Sequence, residues 1–226
     1  MRDNMLASVK NWVFDLDDTL YPSCEALYAQ MCRRIQTYIM NLLGVDEKQA
    51  WTIQKDYYVR YGATVRGLML EHGIKPESFV DFVHELDLSP LREDKELDGI
   101  LKNLNARKFI FTNGAKQHAL RVTKRLGIDG NFEGIFSISD ANYMPKPAKE
   151  TYVKMLDTFG IDAGDSIMCD DNQRNLLTAH ELGMKTLWIT GNARDNKFNT
   201  VTDAPDFCDF QTPDLKSFLK PLCAAA

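Results

Sequence analysis

Three carboxylates fall within four residues, at Asp15, Asp17 and Asp18, directly behind the apolar run Trp12-Val13-Phe14. Such a run suits a strand buried on both faces, and clustered negative charge at its end requires something that offsets the repulsion. A hard divalent cation would do so. The same residues also read as an acidic turn closing a strand, with Thr19 as a helix cap. In the first reading Asp15 is placed to attack phosphorus and form an acyl phosphate that water later hydrolyses. Asp17, two residues on, can protonate the leaving alkoxide and then deprotonate the attacking water.

Other residues carry complementary chemistry. Asp170-Asp171 follows the apolar run Ile167-Met168-Cys169. Taken alone this pair is as much a helix N-cap as a set of hard oxygen ligands. As ligands they would hold Mg²⁺ together with Asp15 and the backbone carbonyl of Asp17, bridging to a phosphoryl group. Thr112-Asn113-Gly114 offers a hydroxyl, an amide and backbone N–H groups near a helix start, a natural phosphate cradle. Lys146 stands between Pro145 and Pro147, which leave its backbone little freedom and place the ammonium. Asp18 reads as a helper that bonds backbone donors or orients its neighbours.

These groups need a frame that brings them together, and the hydrophobic pattern predicts one. From Arg107 onward strands and helices alternate: strands at 108–112, 134–138, 166–170 and 185–189, helices at 115–126, 148–159 and 172–182, each helix stopped by a glycine. With the strand at 11–15 this makes five parallel strands joined by crossover helices, with a minor strand near 207–210 before a last helix at 213–220. The fold class is α/β, a doubly wound, Rossmann-like parallel sheet core formed by residues 1–20 and 90–226. Residues 21–89 are different. Leu27, Met31, Ile35, Ile39 and Leu42 recur at helical spacing, Asp46 can cap a second helix up to Gly62, a third fits 64–72, and a fourth begins at Pro76. This is an inserted helical cap, closed by the breaker Leu88-Ser89-Pro90. In open parallel sheets ligands sit beyond the carboxyl ends of the strands. There the strand ends Asp15-Leu16-Asp17, Thr112-Asn113-Gly114 and Asp170-Asp171-Asn172 and the loop carrying Lys146 converge on one rim from about 155 residues of sequence.

Composition sets the outer bounds. With 44% hydrophobic and 26% charged residues in 226 the chain is globular, and its net charge of -5 argues against a nucleic-acid polymer as partner. No apolar run approaches the roughly 20 residues that cross a bilayer, and residues 1–10 lack the apolar stretch of a signal peptide, so a cytoplasmic protein without a membrane partner is expected. The five cysteines are odd in number and scattered, as free thiols would be, and the four histidines (His72, His84, His118, His180) show no zinc-ligand grouping. Oxygen-only ligands favour Mg²⁺ over Zn²⁺.

The motifs together resemble the haloacid dehalogenase-like hydrolases of the phosphatase type. Asp15-Leu16-Asp17-Asp18-Thr19 is similar to that family's first motif, Thr112-Asn113 to its second, Lys146 to its third and Asp170-Asp171 to its fourth. The dehalogenases lack the second aspartate, so Asp17 implies phosphate chemistry. More narrowly the chain resembles the pyrimidine 5'-nucleotidase branch, through Asp18-Thr19-Leu20-Tyr21-Pro22, Tyr61-Gly62-Ala63-Thr64-Val65-Arg66-Gly67-Leu68, and Phe109 with Thr112-Asn113, with Ala63 where that branch has threonine and Asn175 where some fourth motifs have a later aspartate. The resemblance implies a small phosphate ester as substrate, a pyrimidine nucleotide in that branch. The alternatives on the same scaffold are a phosphosugar mutase or phosphoglycolate-type phosphatase, and a non-catalytic binding module. A cap that selects substrate must turn side chains to the rim. Tyr21, Tyr57, Tyr61, Thr64, Arg66, His72 and His84 are the candidates, against the alternative that most of the tyrosines pack the helical module.

Overall fold

The computed structural model describes residue 6 and residues 8–22, 24–191 and 204–223. Six strands, β1 (Asn11–Phe14), β2 (Arg107–Phe111), β3 (Gly134–Phe136), β4 (Ser166–Asp170), β5 (Lys185–Ile189) and β6 (Phe210–Thr212), form one sheet in the order β3-β2-β1-β4-β5-β6. Every neighbouring pair is parallel. The chain fills one side of β1 with β2 and β3 and then returns to the other side with β4, so the winding reverses beside β1. A ligand crevice belongs at that reversal, outside the carboxyl ends of β1 and β4.

Alternating side chains divide the core between the two faces. Trp12, Phe14, Ile110, Ile167, Cys169, Leu187 and Ile189 pack on one face against α5 (Lys95–Asn103), α6 (Lys116–Leu126) and α9 (Leu215–Cys223). Val13, Phe109, Phe111, Met168 and Trp188 pack on the other against α7 (Lys149–Phe159) and α8 (Gln173–Glu181). Each fully buried Phe, Leu or Ile contributes roughly 1.5–3 kcal/mol. The sheet is thus doubly wound and Rossmann-like, with six strands where the sequence predicts five and a minor one. The sixth is Phe210–Thr212, slightly beyond the expected 207–210, because Phe210 and Thr212 turn inward beside β5 while Gln211 stays exposed. β3 is shorter than expected, since the Ser137 N–H and hydroxyl both turn to Asp140 Oδ2, at 2.9 and 2.6 Å.

Between β1 and α5 the chain builds four helices, α1 (Glu25–Leu43), α2 (Glu47–Tyr61), α3 (Thr64–His72) and α4 (Pro76–Val83). Asp46 opens α2 with a reciprocal capping box, its carboxylate accepting from Gln49 N–H at 2.8 Å and its own N–H donating to Gln49 Oε1 at 3.1 Å. Ile35, Ile39, Tyr57, Val65, Leu68, Phe79, Val80 and Val83 form the insert's own core, which continues onto Ala115 and Ile138 above the sheet. Helices α2 and α3 touch so closely that a Cβ at Gly67 would lie 2.4 Å from the Tyr57 ring. Gly62, at φ 80°, turns the chain between them against the loop carrying Lys146, where a Cβ would meet the Pro145 ring at 3.2 Å. The insert therefore rests directly on the rim. No helix among the described residues is long and apolar enough to cross a membrane.

Candidate active site

β1 delivers its carboxylate by continuing one step past the strand. The Asp15 N–H donates to the Cys169 carbonyl at 2.8 Å, which fixes the Asp15 backbone beside β4. The chain then turns over Asp18, held in the left-handed region at φ 58°, a conformation Asp tolerates better than most residues. The turn closes with the N–H groups of Thr19 and Leu20 on the Leu16 carbonyl. Thr19 caps no helix: α1 begins only at Glu25, and the Thr19 hydroxyl is buried without a partner among the described residues.

Lys146 is the centre of the site. The residue is 2% exposed, and its ammonium donates to Asp15 Oδ1 at 2.9 Å, Asp170 Oδ2 at 2.7 Å and the Phe111 carbonyl at 2.9 Å, so all three donors are engaged. Its loop is held by Asn113, whose amide accepts from Lys146 N–H at 2.7 Å and donates to the Lys146 carbonyl at 3.1 Å. The Asn113 side chain thus spends itself on positioning the lysine, and the Gly114 N–H is taken by Thr112 Oγ1 at 2.9 Å. That narrows the expected cradle: the Thr112 hydroxyl, which accepts from Gly114, keeps its own proton to donate.

Asp170 is fully buried. Asn175 Nδ2 bridges both its oxygens at 3.0 Å each, and Asn172 N–H donates to Oδ1 at 2.8 Å. The helix cap at this end is Asn172, whose side chain accepts from Arg174 N–H at 3.0 Å, so the Asp170-Asp171 pair is not the N-cap of α8. One oxygen each from Asp15, Asp170 and Asp171 lies within 4.8 Å of the others. Burial, with the charge of Asp170 behind it, raises both Asp15 and Asp171 above the carboxylate range, Asp15 to about 7 despite Lys146. Burial alone would lower the Lys146 ammonium, but the adjoining Asp15 and Asp170 charges hold it above its ordinary value. Three carboxylates facing one ammonium leave excess negative charge, and hard oxygens at this spacing fit Mg²⁺.

Asp17 is set apart from that cluster, with its side chain 40% exposed. His118 Nε2 lies 3.1 Å from Asp17 Oδ1, and the Tyr21 hydroxyl donates to the same oxygen. Partial burial would raise Asp17, but the charge and hydrogen bond of His118 and the bond from Tyr21 outweigh it and bring the group down to about 2. His84, just after α4, sets its ring 5.0 Å from that of His118 at a tilt of 44°, and its Nδ1–H donates to the Val80 carbonyl at 2.8 Å. Burial and then His118 lower His84 to about 4.

The insert candidates separate clearly. Tyr21 and His84 reach the site. Tyr57 and His72 bond each other at 2.7 Å, the Tyr61 hydroxyl bonds Glu71, and Thr64 Oγ1 donates to the Gln54 carbonyl at 3.3 Å, all within the insert. Arg66 is half-buried in the first turn of α3 and makes no side-chain hydrogen bond or ion pair with another described residue. Two residues at the rim escape a motif reading. His118 is one, and its signal is position, six residues beyond Thr112 in the first turn of the following helix. Tyr58 is the other: its hydroxyl is raised by burial and by Asp171, and it hydrogen-bonds with Asn172. Sequence pattern favoured Tyr57 and Tyr61, which lie off that face of α2.

Residues 9–183 match the model of the family described as haloacid dehalogenase-like hydrolase. The chain belongs to the haloacid dehalogenase-like hydrolases. Among curated relatives, Glyceraldehyde 3-phosphate phosphatase of Pyrococcus abyssi is 30% identical over 196 residues, 80% of this chain and 81% of that protein. Phosphate metabolism protein 8 of Saccharomyces cerevisiae is 28% identical over 200 residues, 77% of this chain, which spans 60% of the yeast protein's length. Among solved structures, a phosphatase of this family from Thermococcus onnurineus superposes with a TM-score of 0.64 at 18% identity, covering 95% of this chain and 98% of that one.

Proposed function

We propose that this haloacid dehalogenase-like chain is a Mg²⁺-dependent phosphomonoester hydrolase that works through an aspartyl phosphate on Asp15, with residues 21–89 as a cap over a core of residues 1–20 and 90–226. The observation that carries the reading is the buried Lys146, which draws Asp15 and Asp170 together while Asp17 stays outside on its own partners. Asp15 attacks phosphorus, the Thr112 hydroxyl binds a phosphoryl oxygen, Lys146 holds the Asp15 and Asp170 carboxylates in place beside it, and Asp17 passes a proton to the departing oxygen and later takes one from water. Asp15, Asp170 and Asp171 are the side chains that would hold Mg²⁺, which when bound neutralises charge developing on the phosphoryl oxygens. The archaeal relative, 30% identical over most of this chain and itself a glyceraldehyde 3-phosphate phosphatase by name, supports the same chemistry.

For substrate, the resemblance over residues 61–68 supports a pyrimidine nucleoside 5'-monophosphate, with the half-buried Tyr58 beside Asp171 and Asn172 to receive a base. A smaller phosphate ester is the second reading, favoured by the internal pairing of Tyr61 and Thr64, which withdraws two expected base contacts. The test is phosphate release with Mg²⁺ from UMP, CMP, AMP, GMP, hexose phosphates, glyceraldehyde 3-phosphate and phosphoglycolate. Higher kcat/KM on UMP and CMP than on AMP and GMP supports the nucleotidase. Equal rates on purines and pyrimidines, or preference for the small esters, remove it and leave the phosphatase. Isomerisation of a hexose phosphate without phosphate release indicates a mutase, and silence across the whole panel overturns the hydrolase reading.

A further inference from the structure

We infer that His118 is a positioning residue that, with Tyr21, locks the Asp17 carboxylate so that Oδ2 alone is presented to the ester oxygen. The inference rests on the reading of Asp17 as the proton donor to the leaving group. Its ground is that both partners converge on a single oxygen: His118 Nε2 at 3.1 Å and the Tyr21 hydroxyl each meet Oδ1. A carboxylate oxygen accepts, so the proton of His118 sits on Nε2, and two donors on Oδ1 fix the rotation of the group and leave Oδ2 for chemistry.

The surroundings of His118 are built to hold it still. Its side chain is 2% exposed, and its Nδ1 is buried with no hydrogen-bond partner among the described residues, so Asp17 is the polar contact that orients the ring. His84 packs against the ring from the insert and points its own proton at the Val80 carbonyl. Farther along α6, Arg121 donates to the carbonyls of His84 and Leu86 at 3.3 and 2.6 Å. Arg125 donates to those of Leu91 and Ser89 at 3.0 and 3.3 Å. His118, Arg121 and Arg125 share one helix face by spacing, so α6 is pinned along the segment that leads out of the insert, and its first turn is registered against Asp17.

In the step concerned, the bond from an Asp15 oxygen to phosphorus forms as the ester P–O bond breaks. The electron pair of that bond goes to the ester oxygen. Asp17 is ionised in the free protein, so Oδ2 first takes the proton that a phosphate monoester monoanion brings with it (second pKa about 6) and passes it to the departing oxygen, leaving Asp17 ionised again. The demand for that proton depends on the leaving group. An alkoxide needs it, whereas p-nitrophenolate departs without much help.

The experiment measures kcat/KM of the Mg²⁺-loaded full chain on an alkyl phosphate monoester that the parent hydrolyses and on p-nitrophenyl phosphate. It compares the parent, His118→Ala, His118→Gln and Asp17→Asn, with melting followed alongside. His118→Ala is expected to lose roughly 100-fold on the alkyl ester, the scale of a misplaced reacting group, and less than about 3-fold on the aryl ester. His118→Gln, which keeps an N–H donor near the Nε2 position, is expected to recover the alkyl activity to within about 10-fold of the parent. An equal loss on both esters, no loss on either, or no rescue by glutamine overturns the assignment. If Asp17→Asn itself shows no leaving-group dependence, the proton-donor reading of Asp17 falls. A steep dependence in Asp17→Asn with a flat one in His118→Ala removes only the role of His118.

Discussion

The ammonium of Lys146 lies 2.9 Å from Oδ1 of Asp15, a contact made across 131 residues of sequence and almost wholly out of water. Its other carboxylate partner, Asp170, is fully buried, so among the described residues the lysine is the cation that holds these two desolvated carboxylates in place. Breaking such a pair from one side leaves uncompensated charge inside. Lys146→Met is therefore expected to lower stability by about 3–5 kcal/mol in metal-free urea denaturation and to abolish turnover. Adding Asp170→Asn to Lys146→Met should restore part of the lost stability and none of the activity. Lys146→Met within about 1 kcal/mol of the parent would mean that the triad does not carry its charges in the folded protein.

The frame was legible in the sequence because parallel strands buried on both faces read as short apolar runs, and glycines end the helices between them. Convergence of the four motifs followed from one rule about strand ends. Finer assignments were harder where a side chain's partner lies far along the chain. Thr112-Asn113 reads as a phosphate cradle, yet Asn113 meets Lys146 backbone 33 residues away and braces the lysine instead. Among the insert tyrosines, adjacent residues point about 100° apart on a helix, so Tyr57 enters the insert's core while Tyr58 turns toward Asp171 and Asn172. Neither zinc-ligand spacing nor a place in the insert marks His118, whose partner is a carboxylate 101 residues upstream.

The excess negative charge at the rim gives a pH signature with a definite sign. Asp15 is raised to about 7 in the folded, metal-free protein, chiefly by burial, and Asp171 is raised in the same direction. Groups raised on folding hold protons that the unfolded chain has released. Their stabilisation is complete below the unfolded carboxylate value of about 4 and is lost as pH climbs through about 7. Metal-free protein should thus melt at a lower temperature near pH 8 than near pH 5.5, with Asp15→Asn flattening that slope while abolishing turnover. Mg²⁺ needs the same oxygens ionised, so it should raise the melting temperature more at about pH 8 than at about pH 5.5. Asp17 works in the opposite sense but at lower pH, since a group brought down to about 2 loses its contribution only in acid below about 4. A Mg²⁺ shift that is larger on the acid side, or an Asp15→Asn profile parallel to the parent, would contradict the charge balance described for this rim.

Tyr58 and Tyr61 offer a direct comparison on one helix. Both belong to α2, three residues apart, and both carry a ring and a hydroxyl. The Tyr61 hydroxyl bonds Glu71, with Arg60 over its ring at 4.8 Å, an arrangement confined to the insert's outer side. Tyr58 instead sits where α2 approaches the end of β4, half-buried beside Asp171, Asn172 and Arg174. If the insert selects substrate through an aromatic face, Tyr58 supplies it and Tyr61 does not. Tyr58→Ala is expected to lower kcat/KM on the preferred substrate by roughly 10-fold, mainly through KM, as the loss of one buried aromatic contact would. Tyr58→Phe should keep most of that activity, because the ring remains. Tyr61→Ala should leave kcat/KM within about 2-fold, since its hydroxyl and ring are taken up by Glu71, Arg60 and Tyr57 within the insert. Steady-state kinetics of the three variants decide the matter, and a larger loss from Tyr61→Ala than from Tyr58→Ala would return substrate selection to the outer face of α2.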